Sequence, residues 1–329
     1  MKLGFRDIIL TLLSLVLTYI IFKNLISLFD SKDFVQIKKL LQEANYFWLF
    51  LSIILGFFAY YIRAIRWKMT LEPLGYYPKK INLLIAVASS YFGNAIIPRS
   101  GELLRCVVLK KTDNISVDKS IGTLITERMV DLFFLALTIL LAYVLNYRVF
   151  NSFIQQHIQL NINFNQMFLL IFIGFVIVTI LFILFKSKIQ NLTIFKKLQL
   201  IFNGFIKGIL SIKELKNKKL YLFYSFLIWF SYFLMTYFPI LCFEELSNIS
   251  ASEGLFILVM GSIGMIIPTP GGIGSYHAAI ILAVSLFGYS PILGSALGFV
   301  IHTSHYILGV FSGLIGCIYV YLIQSKIKN

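Results

Sequence analysis

Apolar residues run in long unbroken blocks along this chain, without the strict alternation of a half-buried strand. A helix that crosses a bilayer needs about 20 such residues. Stretches 8–29, 46–64, 121–146, 166–185, 220–243 and 292–323 meet that requirement and predict six full spans. The first is too long for the apolar core of a cleaved leader, and no small-residue cleavage site follows it. Two further apolar stretches, 81–109 and 251–287, are interrupted in the middle. One break is Asn94-Ala95-Ile96-Ile97-Pro98-Arg99-Ser100-Gly101; the other is Pro268-Thr269-Pro270-Gly271-Gly272-Ile273-Gly274. Proline removes a backbone donor and glycine tolerates positive φ, so each break reads as helix–break–helix. Irregular backbone survives at membrane depth only when it is buried in protein or lines a cavity. Each hairpin is re-entrant or fully spanning, and in both cases it returns to its starting side.

Composition agrees with that pattern. Hydrophobic residues make up 59% and charged residues 13%, against about 45–50% and about 25% in soluble domains. An ordinary soluble enzyme is excluded. The expectation is an all-α polytopic membrane protein, one transmembrane domain over residues 1–329. Its first half is about 1–146 with hairpin 81–109, and its second half about 166–323 with hairpin 251–287. Cys106, Cys242 and Cys317 lie in apolar surroundings with no zinc-ligand spacing, so no disulfide framework, metal site or cofactor is expected.

The net charge of +15 reports orientation and anionic lipid rather than nucleic acid. With the spans above, 21 Lys and Arg fall on the side of both termini, 5 on the other side, and Arg99, Arg105 and Arg128 inside membrane segments. Such asymmetry predicts cytoplasmic N- and C-termini in the cell membrane. Lysines in 192–216 interleave with apolar residues at helical spacing. They read either as a surface helix on anionic headgroups or as a basic inside loop. Arg63, Arg66, Trp67 and Lys68 close the second span and read as an interfacial anchor or as a headgroup contact.

The two breaks resemble one another. Ile96-Ile97-Pro98-Arg99-Ser100-Gly101 shares four identities in six with Ile266-Ile267-Pro268-Thr269-Pro270-Gly271, at an offset of 170. Three spans separate the hairpins, so they open from opposite sides. That is the arrangement of inverted repeats whose broken helices meet near the midplane.

Ionisable residues at depth are costly and are therefore functional candidates. Arg99, Glu102 and Arg105 follow the first break at i, i+3, i+6. Two guanidiniums beside a helix N-terminus suit a phosphate, with Glu102 orienting one or neutralising it structurally. Glu127, Arg128 and Asp131 share one turn of the third span. They read as a gate, a partner set for Arg99 and Arg105, a proton carrier or a buried structural network. His277 follows the second break, and His302 and His305 sit near mid-depth of the last span. They would donate to phosphate or hold helices together, and no metalloenzyme pattern accompanies them.

Asn94-x-x-x-Pro98-Arg99-x-Gly101-Glu102-x-x-Arg105, Glu127-Arg128-x-x-Asp131 and Pro268-x-Pro270-Gly271-Gly272-Ile273-Gly274 occur in that order. Together they resemble the flippase-like integral membrane family that includes the transmembrane region of lysylphosphatidylglycerol synthase, over roughly 46–323. The resemblance implies translocation of a phospholipid or an isoprenoid-linked lipid, with anionic membrane lipid as partner. His277 stands where that family commonly has Glu, and His302 and His305 where it more often has Arg or Tyr. No residues for the aminoacyl-transfer step itself are expected here.

The expected site therefore comprises Asn94, Arg99, Glu102, Arg105, Glu127, Arg128, Asp131, Gly271, Gly272, Gly274, His277, His302 and His305. Arg99, Arg105 and Arg128 would neutralise phosphate, and the glycines would let backbone approach the headgroup. A lipid flippase-like transporter is the leading reading. An intramembrane transferase on a lipid-linked substrate and a non-transporting partner subunit are the alternatives.

Overall fold

The computed structural model describes residues 5–97, 100–149, 151–152 and 215–328. The expected span 166–185, the basic segment 192–216 up to residue 214, and Arg99 lie outside the described residues. The described residues form helices and no strand. In chain order these are α1 (Phe5–Ile26), α2 (Ser31–Glu43), α3 (Tyr46–Leu71), α4 (Lys80–Ile96), α5 (Gly101–Asp113) and α6 (Val117–Leu145). There follow α7 (Lys218–Ile240), α8 (Ala251–Ile266), α9 (Ser275–Leu286) and α10 (Pro291–Lys328). The protein is an all-α polytopic membrane protein. Helices α3, α6, α7 and α10 are each long and apolar enough to cross a membrane.

Both hairpins form as helix–break–helix. α4 ends at Ile96 and α8 at Ile266, and each is followed by an extended residue, Ile97 or Ile267. The two ends are 170 residues apart, as the sequence repeat requires. At a rise of about 1.5 Å per residue, the 16 or 17 residues of the first arms reach only about 25 Å, short of a roughly 30 Å hydrocarbon core.

The repeat extends beyond the breaks. α3 to α6 and α7 to α10 follow the same order of long helix, two hairpin arms, long helix. Packing respects the exchange of halves: α3 lies along α7, α4 packs on α10, and α8 packs on α6. Two apolar cores form, one around Trp67, Leu83 and Leu109 with Leu308 and Val320 of α10, the other around Phe243, Ile257 and Leu297. Lipid gives packed helices no hydrophobic advantage over lipid contact, so close approach must hold them together. The α4–α10 contact uses Gly309 against Tyr91, Gly313 against Phe92 and Gly316 against Ile85 and Ser89.

Two expectations need correction. The first apolar run does not extend to residue 29. α1 stops at Ile26 and the chain turns by 96° into α2. Asp30 caps α2 by accepting from the backbone of Lys32 and Asp33, while Asp33 accepts from the Asp30 N–H. This reciprocal cap fixes a helix start just beyond the apolar run, which hydropathy alone did not predict. The second run does not end at residue 64 either. α3 continues to Leu71, carrying Arg63 and Arg66 inside the helix bundle. Taking these two from the 21 cations of the terminal side leaves 19 and does not reverse the asymmetry.

Candidate functional site

Three helices, α3, α5 and α6, bring their charges to one place. Arg66 of α3 and Glu127 of α6 are fully buried, and an isolated charge there would be costly. The network answers that cost by alternating signs. Arg105 of α5 grips Glu127 with both terminal nitrogens, at 2.7 and 3.3 Å. Arg66 lies 3.9 Å from the same carboxylate and 2.7 Å from Asp131. Asp131 is also 3.3 Å from Arg128 and 3.7 Å from Arg63. Arg128 reaches Glu102 at 3.1 Å, on the partly open side of the network. α7 contributes Ser225, which accepts from Arg66 at 3.0 Å, and Tyr221, whose ring lies under the Arg66 guanidinium.

Trp67 seals this network. The Arg105 guanidinium sits 3.6 Å above the Trp67 ring, and Trp67 Nε1 donates to Thr123 Oγ1 at 2.9 Å. Trp67 is buried, so it is not an interfacial anchor, and Arg66 is not a loop cation. Both sit inside because their partners, Glu127 and Thr123, come from α6, far away in sequence. Arg105, expected to neutralise phosphate, is instead paired with Glu127.

Arg63 connects the network to a cavity of about 360 Å³. Its Nη1 donates to the hydroxyls of Tyr91 and Tyr232, at 3.0 and 3.1 Å. The cavity lies where the hairpins converge: Asn94 and Ala95 come from the end of α4, and Gly271 from the second break. Tyr276 and, from α10, His302, His305 and Tyr306 close the wall. His302 Nε2 donates to the Gly271 carbonyl at 2.8 Å. His305 Nε2 is 3.4 Å from Ser52 Oγ, which itself donates to the Met235 carbonyl. Tyr306 touches both breaks. Its ring is where a Gly271 Cβ would be, and its hydroxyl is 3.5 Å from the Ala95 carbonyl.

The breaks are held by their own residues. Asn94 Oδ1 accepts from the Gly101 N–H at 2.8 Å, and Ser100 Oγ donates to the Gly93 carbonyl at 2.8 Å. A Cβ on Gly101 would overlap the Ser90 carbonyl oxygen, so only glycine admits this approach of α5 to α4. In the second break Gly271, Gly272 and Gly274 all have positive φ. Gly271 lines the cavity, whereas Gly272 faces Met265 and Gly274 faces Ile21 of α1. The latter two serve the turn, not an approach to the cavity. The His277 ring lies 4.6 Å from His302 and borders the cavity wall from behind. Among the described residues no group of His, Cys, Asp and Glu is arranged to hold a metal.

A family model, the lysylphosphatidylglycerol synthase TM region, matches residues 8–313. The chain belongs to this family. Within that match lie both breaks, the charge network and the cavity. A relative of this lysylphosphatidylglycerol synthase TM-region protein is UPF0104 membrane protein MJ1078 of Methanocaldococcus jannaschii. It is 32% identical over 198 residues, which cover 59% of this chain and 80% of the relative. No solved structure matches the chain.

In this family member, Arg63 and Arg66, read from the sequence as an anchor or a headgroup contact, and the cavity tyrosines lie outside the expected site set. Arg63 and Arg66 are i, i+3 on α3 and stand beside Trp67, a signal that was readable but equally typical of a span end. The tyrosines carried no distinguishing signal among 18 in the chain.

Proposed function

We infer that this protein is a lipid flippase-like transporter of the cytoplasmic membrane, with cytoplasmic termini, acting on a lipid whose headgroup carries phosphate. The observation that carries this reading is the cavity bounded by both helix breaks, with a guanidinium in its wall. In hydrocarbon such a break and such a charge are tolerated only beside protein or a polar cavity, and both meet here. Arg63, Asn94, Gly271, His302 and His305 form the proposed headgroup site. Arg105, Glu127 and Asp131 position Arg63 and Arg66. Arg128 and Glu102, which are 38% and 50% exposed, form the partly open side of the charge network. Arg99 remains a proposed phosphate contact by its place beside the first break. Gly272, Gly274 and His277 shape the second break.

A second cavity supports a lipid rather than a soluble anion. It is an apolar groove of about 740 Å³ lined by residues such as Phe57, Leu84, Val300, Ile307 and Phe311. It shares Tyr60 with the polar cavity. A pocket holding a guanidinium beside an apolar groove matches a headgroup beside a chain. The repeated helix order and exchange-symmetric packing favour transport by rocking of two inverted halves.

The test is lipid translocation in reconstituted vesicles, read by dithionite quenching of a fluorescent phospholipid. The reading expects translocation above protein-free vesicles and a loss in Arg63→Ala and His302→Ala. Translocation unchanged in both variants would remove the proposed site.

A further inference from the structure

We propose that the cavity selects a headgroup bearing negative charge and hydroxyls but no amine, such as a phosphate esterified to glycerol or a sugar. This deepens the lipid-handling reading and rests on it. Among the described residues lining the cavity, Arg63 is the one Lys, Arg, Asp or Glu. The nearby carboxylates are committed elsewhere: Glu127 to Arg105 and Arg66, Asp131 to Arg66, Arg128 and Arg63, and Glu102 to Arg128. Four described arginines face these three acids, so the excess charge is positive and Arg63 carries it to the cavity wall. A phosphate entering the cavity meets a guanidinium. An ammonium meets the same guanidinium with no lining carboxylate to balance it.

Hydrogen-bond capacity points the same way. Arg63 donates to the oxygens of Tyr91 and Tyr232, and the two phenols also hydrogen-bond each other, which leaves the pair one proton to give. The Gly271 carbonyl can only accept, so His302 carries its proton on Nε2 and keeps Nδ1 as an acceptor. Ser52 gives its proton to Met235, so the Nε2 of His305 is again the donor and its Nδ1 the acceptor. Donors and acceptors therefore occur in one wall, as a polyol requires. The flat faces of the Tyr60–Tyr91 stack, 4.3 Å between centroids, and of the His302–Tyr306 stack, 5.7 Å, add apolar surface for C–H groups. Aromatic walls also suit quaternary ammonium, and Arg63 is the feature that disfavours it.

Native mass spectrometry of the purified full chain tests this with an equimolar mixture of four lipids: phosphatidylglycerol, phosphatidylcholine, phosphatidylethanolamine and lysyl-phosphatidylglycerol. Soluble glycerol phosphate is offered in a separate arm. The proposal expects phosphatidylglycerol to be retained over each amine lipid by roughly tenfold, and this preference to vanish in Arg63→Gln. Tyr232→Phe, which removes one hydroxyl, serves if Arg63→Gln does not fold, and should reduce the preference. Equal retention, or preference for an amine lipid, overturns the selectivity and leaves the lipid-handling reading standing. Retention of glycerol phosphate with no lipid bound overturns the lipid-handling reading and keeps the cavity's chemistry.

Discussion

Arg105 holds both carboxylate oxygens of Glu127, and Trp67 covers the guanidinium from the other side. This pair ties the returning arm of the first hairpin to α6. Removing one partner leaves the other charge buried and uncompensated, at a cost of about 3–5 kcal/mol. Glu127→Ala and Arg105→Ala are each expected to lower the thermal unfolding temperature strongly in one fixed detergent. Arg105→Met combined with Glu127→Leu should recover much of that loss, because apolar replacement of both partners can be near neutral. A double variant as unstable as the sum of the singles would show that the pair does not act as a unit.

Gly101 and Gly122 are predicted to respond to alanine with opposite signs. A Cβ on Gly101 overlaps the Ser90 carbonyl oxygen, and backbone cannot step aside as a side chain can. Overpacking of this kind costs about 1–3 kcal/mol. Among the described residues nothing lies within 4 Å of a Cβ on Gly122, which sits inside α6. Gly122→Ala should therefore stabilise by about 0.5–1 kcal/mol through helix propensity. Thermal unfolding of the two variants beside the parent checks both signs.

If the halves are inverted with respect to each other, equivalent loops face opposite sides of the membrane. The loop between α3 and α4 exposes Tyr77, and that between α7 and α8 exposes Glu245. In a background with Cys106, Cys242 and Cys317 replaced, Tyr77→Cys should react with impermeant maleimide from the cytoplasmic face. Glu245→Cys should react only from the outside. Labelling of both from one face would rule out inversion.

Asp30 starts α2 through a reciprocal cap, and no residue of α2 is fully buried, although Ile37, Leu40 and Leu41 pack against the second core. Losing such a cap costs about 1 kcal/mol. Asp30→Ala should speed amide hydrogen exchange across residues 31–43 and leave α3 unchanged. Unaltered exchange in α2 would mean that contact with α10, not the cap, fixes the helix start.

The breaks were readable because proline and glycine act through their own backbone. Pro98 and Pro268 follow Ile96 and Ile266, and α4 and α8 stop at those isoleucines. Glu127 and Asp131 were readable because a carboxylate at depth demands a partner. Arg63 and Arg66 were not, since their identity as inner residues depends on those same carboxylates of α6, more than a helix away in sequence. Hydropathy treats a charge at the end of an apolar run as the edge of the membrane. Only tertiary pairing shows that the helix continues. The start of α2 was legible in principle from Asp30 and Asp33, but the apolar run before them masked it.

Tyr306 leans its ring on one interruption and its hydroxyl on the other. A single side chain thus works as a shared pivot pin. Widening the seam at Gly271 would therefore shift a ring whose hydroxyl rests 3.5 Å from the Ala95 carbonyl, which couples the two interruptions through one residue.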